Sequence, residues 1–480
     1  MSDNHFDVVI IGSGPGGYVA AIRSAQAGFR TAVIERNKIG GTCLNIGCIP
    51  TKAIIHQADL LNELRQCVMA KTVSVCPEFA FDKVIEKSWK TAERLSKGVE
   101  YLLRENRVQL IRGTGTPLAG KRVVVRNPET PPLELTYRHL ILATGSQPRF
   151  VAGLEPDGRF VISSDEALRL KELPRSIAII GAGAIGLEFA YIYATFGCKV
   201  TLLEMMPHIL PQEDEELCHL MATQLRKLKI DIFTSARIME HKIENDQVHL
   251  VFQSEPSSPS APAAPPAERM VDKVLVAIGR RPVLDLQALD DMGIVMDRGY
   301  VSVNENGMTS VPDIFAIGDI VPGLQLAHVA SEEGLQVIDY LQGRPRPIRY
   351  QSMPRCIYCS PQYASAGILA PPPGTPESQA AASLVFPYQA IGKALAIDDY
   401  YGKIKLVYRP ETLEILGVQM VGANATELIG YYVSAMDHGL TLHDLAHTVY
   451  AHPTLSEIIK ESAELAVGTP IHVLPPKPKA

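Results

Sequence analysis

The sequence predicts an α/β chain: two Rossmann-like units with parallel sheets, followed by a smaller α+β unit at the C-terminus. Three observations predict it. A buried strand running into a glycine-rich turn and an apolar, periodic helix occurs twice; the two copies have equal internal spacing; and past about Arg349 the composition changes to short β-like runs and helices. A chain of 480 residues is too long for one core and has room for two to four domains.

Val8–Ile11 is the first buried strand, and Gly12-Ser13-Gly14-Pro15-Gly16-Gly17 follows it directly, before an apolar helix that runs to about Gly28. Strand, glycine turn and helix in that order make a phosphate cradle. Gly12 permits the tight turn, Gly14 lets a pyrophosphate approach the backbone, and Gly17 lets helix and strand pack closely. The next strand, Thr31–Ile34, ends at Glu35, whose carboxylate can accept hydrogen bonds from a ribose diol. The second copy runs through Ser176–Ile180, then Gly181, Gly183 and Gly186 in the turn, then Lys199–Leu203 ending at Glu204. Gly17 to Glu35 and Gly186 to Glu204 span the same number of positions, so two dinucleotide sites are expected. The charge of Glu204 opposes a 2′-phosphate, which selects NAD over NADP.

Two shorter glycine strands, Leu140–Gly145 and Ile314–Asp319, lie on either side of the second copy. Their order suggests a first domain in two parts, residues 1–149 and 278–348, with the second nucleotide unit inserted as 150–277 and the C-terminal unit as 349–480. Asp319 is then expected to face the first nucleotide.

Cys43 and Cys48 stand in Gly40-Gly41-Thr42-Cys43-Leu44-Asn45-Ile46-Gly47-Cys48-Ile49-Pro50-Thr51-Lys52. Two thiols this close can cycle between dithiol and disulfide, which moves two electrons. As a staple, so short a loop would contribute only about 2 kcal/mol. Eight cysteines are too few and too scattered for a secreted disulfide framework, so a working disulfide here is expected to be redox-active in a reducing compartment. Cys48 precedes Pro50 and a periodic apolar stretch through Leu64, placing it near a helix N-terminus that favours a thiolate.

The cysteine segment and both glycine turns resemble the flavoprotein disulfide reductases, and within that family the members that oxidise a dihydrolipoyl group. The resemblance extends to His452-Pro453-Thr454-Leu455-Ser456-Glu457. It implies FAD at the first turn and NAD at the second, with Glu35 on the adenosine ribose and Asp319 on the ribityl chain. Gly115, Thr144, Gly145, Ser146, Leu326, Ala327 and His328 match positions lining FAD, and Gly279 matches one near NAD. Lys52 and Glu188 match an ion pair beside the flavin ring. Cys43 matches the thiol that meets substrate sulfur, and Cys48 the thiol that passes electrons to FAD. His452, oriented by Glu457, matches the base that generates the attacking thiolate; a histidine before proline would otherwise be read as structural. His443 and His447 lack such a partner and are read as packing or surface residues. The C-terminal unit matches a dimerisation domain, so a homodimer is implied, with His452 arriving from the partner chain. A lipoyl-bearing acyltransferase (E2) or a glycine-cleavage H protein would present the substrate, since no lipoyl domain is present in this sequence.

Composition excludes other classes. A net charge of −6 argues against a nucleic-acid partner. No apolar run reaches about 18 residues unbroken, so no membrane span is expected. The acidic, polar start resembles neither a signal nor a transit peptide, and a cytoplasmic location is expected. Glutathione reductases would want basic residues at Glu204, mercuric reductases carry a C-terminal cysteine pair, and soluble transhydrogenases lack the intact pair at Cys43 and Cys48. A non-enzymatic redox sensor has no need of His452 and Glu457. Residues 254–266 and 370–376, rich in proline, are expected to be surface insertions, the first a mobile loop. Cys356 and Cys359 form a lone C-x-x-C without a second pair at zinc spacing, so no metal is expected and both are read as structural. Cys67, Cys76, Cys198 and Cys218 belong to no motif.

Overall fold

The computed structural model describes residues 4–75, 79–255, 265–371 and 374–475. Three sheets organise it. The first runs, in spatial order, Gln109–Arg112, Thr31–Glu35, His5–Ile11, Thr130–Leu142, Arg122–Asn127 and Thr114–Leu118, and Ile314–Ala316 also pairs in parallel with Thr130–Leu142. Its central strands are parallel, with Val8 opposite Thr31 and Ile10 opposite Ile141. Val8, Val9 and Ile10 are fully buried, as a strand covered on both faces requires.

The second sheet is wholly parallel, in the order Asp231–Phe233, Lys199–Leu203, Ser176–Ile180, Lys273–Val276 and Val161–Ile162. An antiparallel meander of Ala236–Glu244, Gln247–Ser254 and Ala267–Val271 stands beside it. The C-terminal sheet is antiparallel, in the order Arg355–Ile357, Gln362–Gly367, Ile415–Gly422, Lys403–Tyr408 and Ala382–Pro387. Helices Ala425–His438 and Glu457–Ala466 complete that unit.

The expected nucleotide strands and turns lie where the pattern put them, and the first helix is Pro15–Gln26. The cysteine helix is longer than its apolar stretch suggested, spanning Cys48–Met69. Helix Phe81–Glu105, the hairpin strands 114–127 and the meander were not anticipated, although the hairpins turn at Gly120-Lys121 and at Asn245-Asp246, all four residues at positive φ. The expected loop joins strands ending at Ser254 and starting at Ala267, but 256–264 lie outside the described residues, as do 372–373 of the second proline-rich segment, the terminal 476–480 and Cys76. A short helix, Pro376–Ala380, begins on the last residue of that second segment. No described helix is long and apolar enough to cross a membrane.

A buried ion cluster binds the second unit to the C-terminal sheet. Glu213 accepts from Arg355 Nε at 2.6 Å and from Ser365 Oγ at 2.8 Å, while Lys405 Nζ lies 2.8 Å from Asp214, the N-cap of helix Glu215–Lys227. Removing one partner leaves the other charge short of its bonds in a mostly dry setting. Glu213→Ala is therefore expected to destabilise the chain by about 2–3 kcal/mol in chemical denaturation.

Candidate active site

Both glycine turns are built the same way. Gly12 and Gly181 have φ of 104° and 101°, a conformation that disfavours a side chain. A Cβ at Gly17 would lie 1.9 Å from Gly12 O, and one at Gly186 would lie 1.8 Å from Gly181 O, so each helix packs backbone to backbone on its strand. Gly14 and Gly183 are different: a Cβ at either meets nothing within 4 Å. That open space, at helix N-termini with no side-chain cap, fits a pyrophosphate.

The two carboxylates also match. Glu35 accepts from Ser13 N at 3.0 Å, Ser13 Oγ at 2.6 Å and Asn37 N at 2.7 Å. Glu204 accepts from Ala182 N at 2.7 Å and Met206 N at 2.8 Å. Each braces the turn from below, a role the spacing did not reveal, and two oxygens still leave acceptor capacity for a ribose. Both line one cavity of about 1900 Å³ that reaches from the first turn to the second.

The cysteine segment is seated on the first turn. Gly40 N donates to Ser13 O at 2.9 Å, and a Cβ at Gly41 would lie 2.7 Å from Gly14 Cα, which accounts for the Gly-Gly before Thr42. Buried Asn45 donates to Ile39 O at 2.8 Å and Gly41 O at 3.0 Å, fixing the start of the short helix Gly41–Ile46 that carries Cys43. Cys48 is the first residue of its helix, as expected. Here the pair stands as two free thiols rather than a disulfide. The influence of the neighbouring Cys43 thiol, opposed by burial and aided by Lys52, lowers Cys48 to about 7, while Cys43 is held well above the ordinary thiol range.

Lys52 Nζ donates to both Glu188 oxygens, at 3.0 and 2.9 Å, with side chains 33% and 6% exposed. The pair joins the cysteine helix to helix Ala184–Phe196 of the second unit. Burial disfavours the Lys52 charge, and Glu188 overrides it, so Lys52 sits above its ordinary value. Asp319 accepts from Ser146 Oγ, and Ser146 in turn accepts from Arg280 Nε at 2.7 Å and, through its carbonyl, from Arg280 at 2.8 Å. Glu333, raised to about 7 by burial, accepts from Gly318 N at 2.6 Å and braces the turn that carries Asp319. Neither Arg280 nor Glu333 was singled out from sequence, because each acts through a neighbour.

Of the expected cofactor residues, Gly12, Gly14, Gly17, Glu35, Lys52, Gly115, Thr144, Gly145, Ser146, Gly181, Gly183, Glu204, Gly279, Asp319, Leu326, Ala327 and His328 line the cavity, together with Cys43, Cys48 and Glu188. Gly186 does not; it is a packing position beneath the turn. His328 Nε2 lies 2.9 Å from Pro354 O, and Thr144 Oγ donates to Val283 O at 2.6 Å. Cys356 lines the cavity as well, its thiol pushed up to about 11 by burial, whereas Cys359 is fully buried. The His443 and His447 rings lie 4.2 Å apart, tilted by 31°, at an exposed helix end.

His452 and Glu457 lie outside this cavity. His452 Nδ1 is 2.9 Å from Glu457 Oε1, and Thr454 N donates to Glu457 Oε2 at 2.9 Å. Burial works to raise Glu457, but these bonds prevail and hold it below the usual carboxylate range. The imidazole is 77% exposed, and near it in sequence Val449 is 90% exposed.

Residues 6–334 match the family model described as pyridine nucleotide-disulphide oxidoreductase, and residues 353–463 match the dimerisation domain of the same family. The chain belongs to the pyridine nucleotide-disulphide oxidoreductases. It is 38% identical to a dihydrolipoyl dehydrogenase of Bacillus subtilis over 480 residues, covering 97% of this chain and 99% of that one. A dihydrolipoyl dehydrogenase of Geobacillus stearothermophilus is 37% identical, covering 98% and 97%. Among solved structures, LpdA of Mycobacterium tuberculosis shares the fold with a TM-score of 0.86, at 24% identity over 95% of this chain and 99% of that one. The HOCl-induced flavoprotein disulfide reductase RclA of Escherichia coli has a TM-score of 0.82 at 28% identity, covering 96% and 99%. This family member is an oxidoreductase with paired nucleotide turns and a dithiol in one cavity.

The charges around the dithiol predict its titration. Alkylation of the reduced pair by iodoacetamide should rise as pH passes through about 7, because Cys48 ionises there. Lys52→Met should move that midpoint up by about one unit, since it removes the cation and leaves Glu188 facing the thiolate.

Proposed function

We propose that this chain is a dihydrolipoyl dehydrogenase, oxidising protein-bound dihydrolipoamide to lipoamide with reduction of NAD⁺. The observation that carries the reading is the single cavity in which Cys43, Cys48, Lys52 and Glu188 stand between the two glycine turns. Near-full-length identity of 36–38% to enzymes of that name supports the substrate.

Gly14, Glu35 and Asp319 would hold FAD, and Gly183 and Glu204 would hold NAD; bound there, the two supply the two-electron acceptor chemistry that thiols lack. The chain's own residues do the sulfur chemistry. With the pair oxidised, a substrate thiolate attacks Cys43 Sγ, forming a mixed disulfide and releasing Cys48 as the thiolate that Lys52 and the helix N-terminus favour. The second substrate thiol displaces Cys43 and closes the lipoyl ring. The partner's His452 takes the proton of the attacking thiol, the second thiol's proton goes to the departing Cys43 sulfur, and the Glu457 carboxylate stabilises the imidazolium. Lys52 and Glu188 set the charge beside the acceptor.

A homodimer with a shared site fits the exposed position of His452 outside its own chain's cavity, and the apolar Val449, Tyr431 and Leu440 left uncovered in one chain. The domain division is read as 1–149 with 278–348, 150–277 and 349–480. The lipoyl group would come from an acyltransferase of a 2-oxo acid dehydrogenase complex or from a glycine-cleavage H protein, and the location is read as cytoplasmic, since a reducing compartment leaves a disulfide like this one to catalysis and not to structure.

Steady-state assays with NAD⁺/NADH or NADP⁺/NADPH against dihydrolipoamide, glutathione disulfide and Hg²⁺ test the reading. Turnover is expected with dihydrolipoamide and NAD⁺; turnover confined to glutathione disulfide with NADPH would overturn it. Cys48→Ser should abolish dihydrolipoamide oxidation, and His452→Gln should lower kcat about 10²- to 10⁴-fold with FAD still bound.

A further inference from the structure

We infer that Tyr358 is a positioning residue for the Lys52–Glu188 pair, its ring face seating the ammonium and its backbone amide seating the carboxylate. Lys52 Nζ lies 4.5 Å from the centroid of the Tyr358 ring, well inside cation–π range. Tyr358 N donates to Glu188 Oε1 at 3.2 Å. One residue therefore holds both members of the pair, and it comes from neither helix that carries them: it follows strand Arg355–Ile357 of the C-terminal unit.

The chemistry explains why a third contact is needed. Lys52 is one-third exposed, and its four-carbon stem has rotamers that would carry the charge into solvent. Glu188 alone constrains the distance between the two charges but leaves the ammonium free to swing about the carboxylate. An aromatic face on another side of the ammonium removes that freedom and keeps the charge directed at Cys48. The charged groups facing Cys48 are Lys52, which favours its thiolate, and Glu188, which opposes it; its thiol neighbour is Cys43, the Tyr18 hydroxyl faces Cys43, and the Tyr358 hydroxyl faces Cys48, which is why the Phe variant is the reference for the ring's effect. The balance between Lys52 and Glu188 at the sulfur thus depends on where Tyr358 holds them. Docking of the C-terminal unit thereby sets the ionisation of a dithiol carried by the first unit.

This inference rests on the reading of Cys43 and Cys48 as the redox pair, and its test does not depend on dihydrolipoamide being the substrate. The pH midpoint for iodoacetamide alkylation of the reduced pair is measured in FAD-loaded protein carrying Tyr358→Phe, Tyr358→Leu, or pentafluorophenylalanine at position 358, which keeps the ring's shape but reverses its quadrupole. The Phe variant should keep the wild-type midpoint. The Leu and pentafluorophenylalanine proteins should shift it upward by about 0.5–1 unit, so that alkylation at neutral pH slows about 2- to 5-fold. In a Lys52→Met background the same replacements should add no further shift. An unchanged midpoint in the pentafluorophenylalanine protein, a shift in Phe equal to that in Leu, or an undiminished shift in the Lys52→Met background would each overturn the proposal. Absence of dihydrolipoamide turnover, with these midpoints as expected, would count against the proposed substrate alone.

Discussion

Contact of backbone against backbone at glycine sets the geometry on which everything else depends. At Gly17 over Gly12, and at Gly186 over Gly181, there is no room for even a methyl group, so helix and strand meet at a separation fixed by main-chain atoms. Because the approach is so close, the amides at the helix N-termini open onto the cavity instead of being covered by side chains. Glu35 and Glu204 then lock each turn by accepting its first amide after the leading glycine. The cost of a carboxylate less than a tenth exposed is offset by two or three charge-assisted hydrogen bonds.

Electrostatics is layered on that frame. The helix that begins at Cys48 aims its positive end at the sulfur, and Lys52, one turn along, adds a full charge on the same side. Glu188 prevents that charge from being a liability in a partly dry setting, at the expense of some of its effect on the thiol. Asp319 is governed at one remove, by Ser146 and Arg280 from the side and by Glu333 through the Gly318 amide. Catalytic and binding groups here are few, while the groups that aim them are distributed over every unit.

How much of this was legible in the sequence follows from the range of each interaction. The turns, their carboxylates and the thiol pair are local patterns, since a strand, three glycines and an acid at fixed spacing carry their own physical reason. The fold class followed from their repetition. Tyr358, Arg280 and Glu333 were illegible because their roles arise between segments far apart in the chain, and nothing in Cys356-Ile357-Tyr358-Cys359 points toward Lys52. The meander and helix Phe81–Glu105 escaped for a related reason: the meander's Asn245-Asp246 turn is a weak signal beside Asn-Gly, the helix has no side-chain cap to mark its start, and tertiary pairing decided their extent.

The seat of the cysteine segment on the first turn has a consequence for how such a molecule can change. Gly41 rests on Gly14, and Gly40 is hydrogen-bonded to Ser13 O, so the offset between the thiols and the phosphate cradle is measured in main-chain atoms alone. Side chains around the cavity can then be exchanged to suit a different electron donor without altering that offset. The reducing end of the machine is thus interchangeable, while the ruler that spaces it from the nucleotide is written into the backbone.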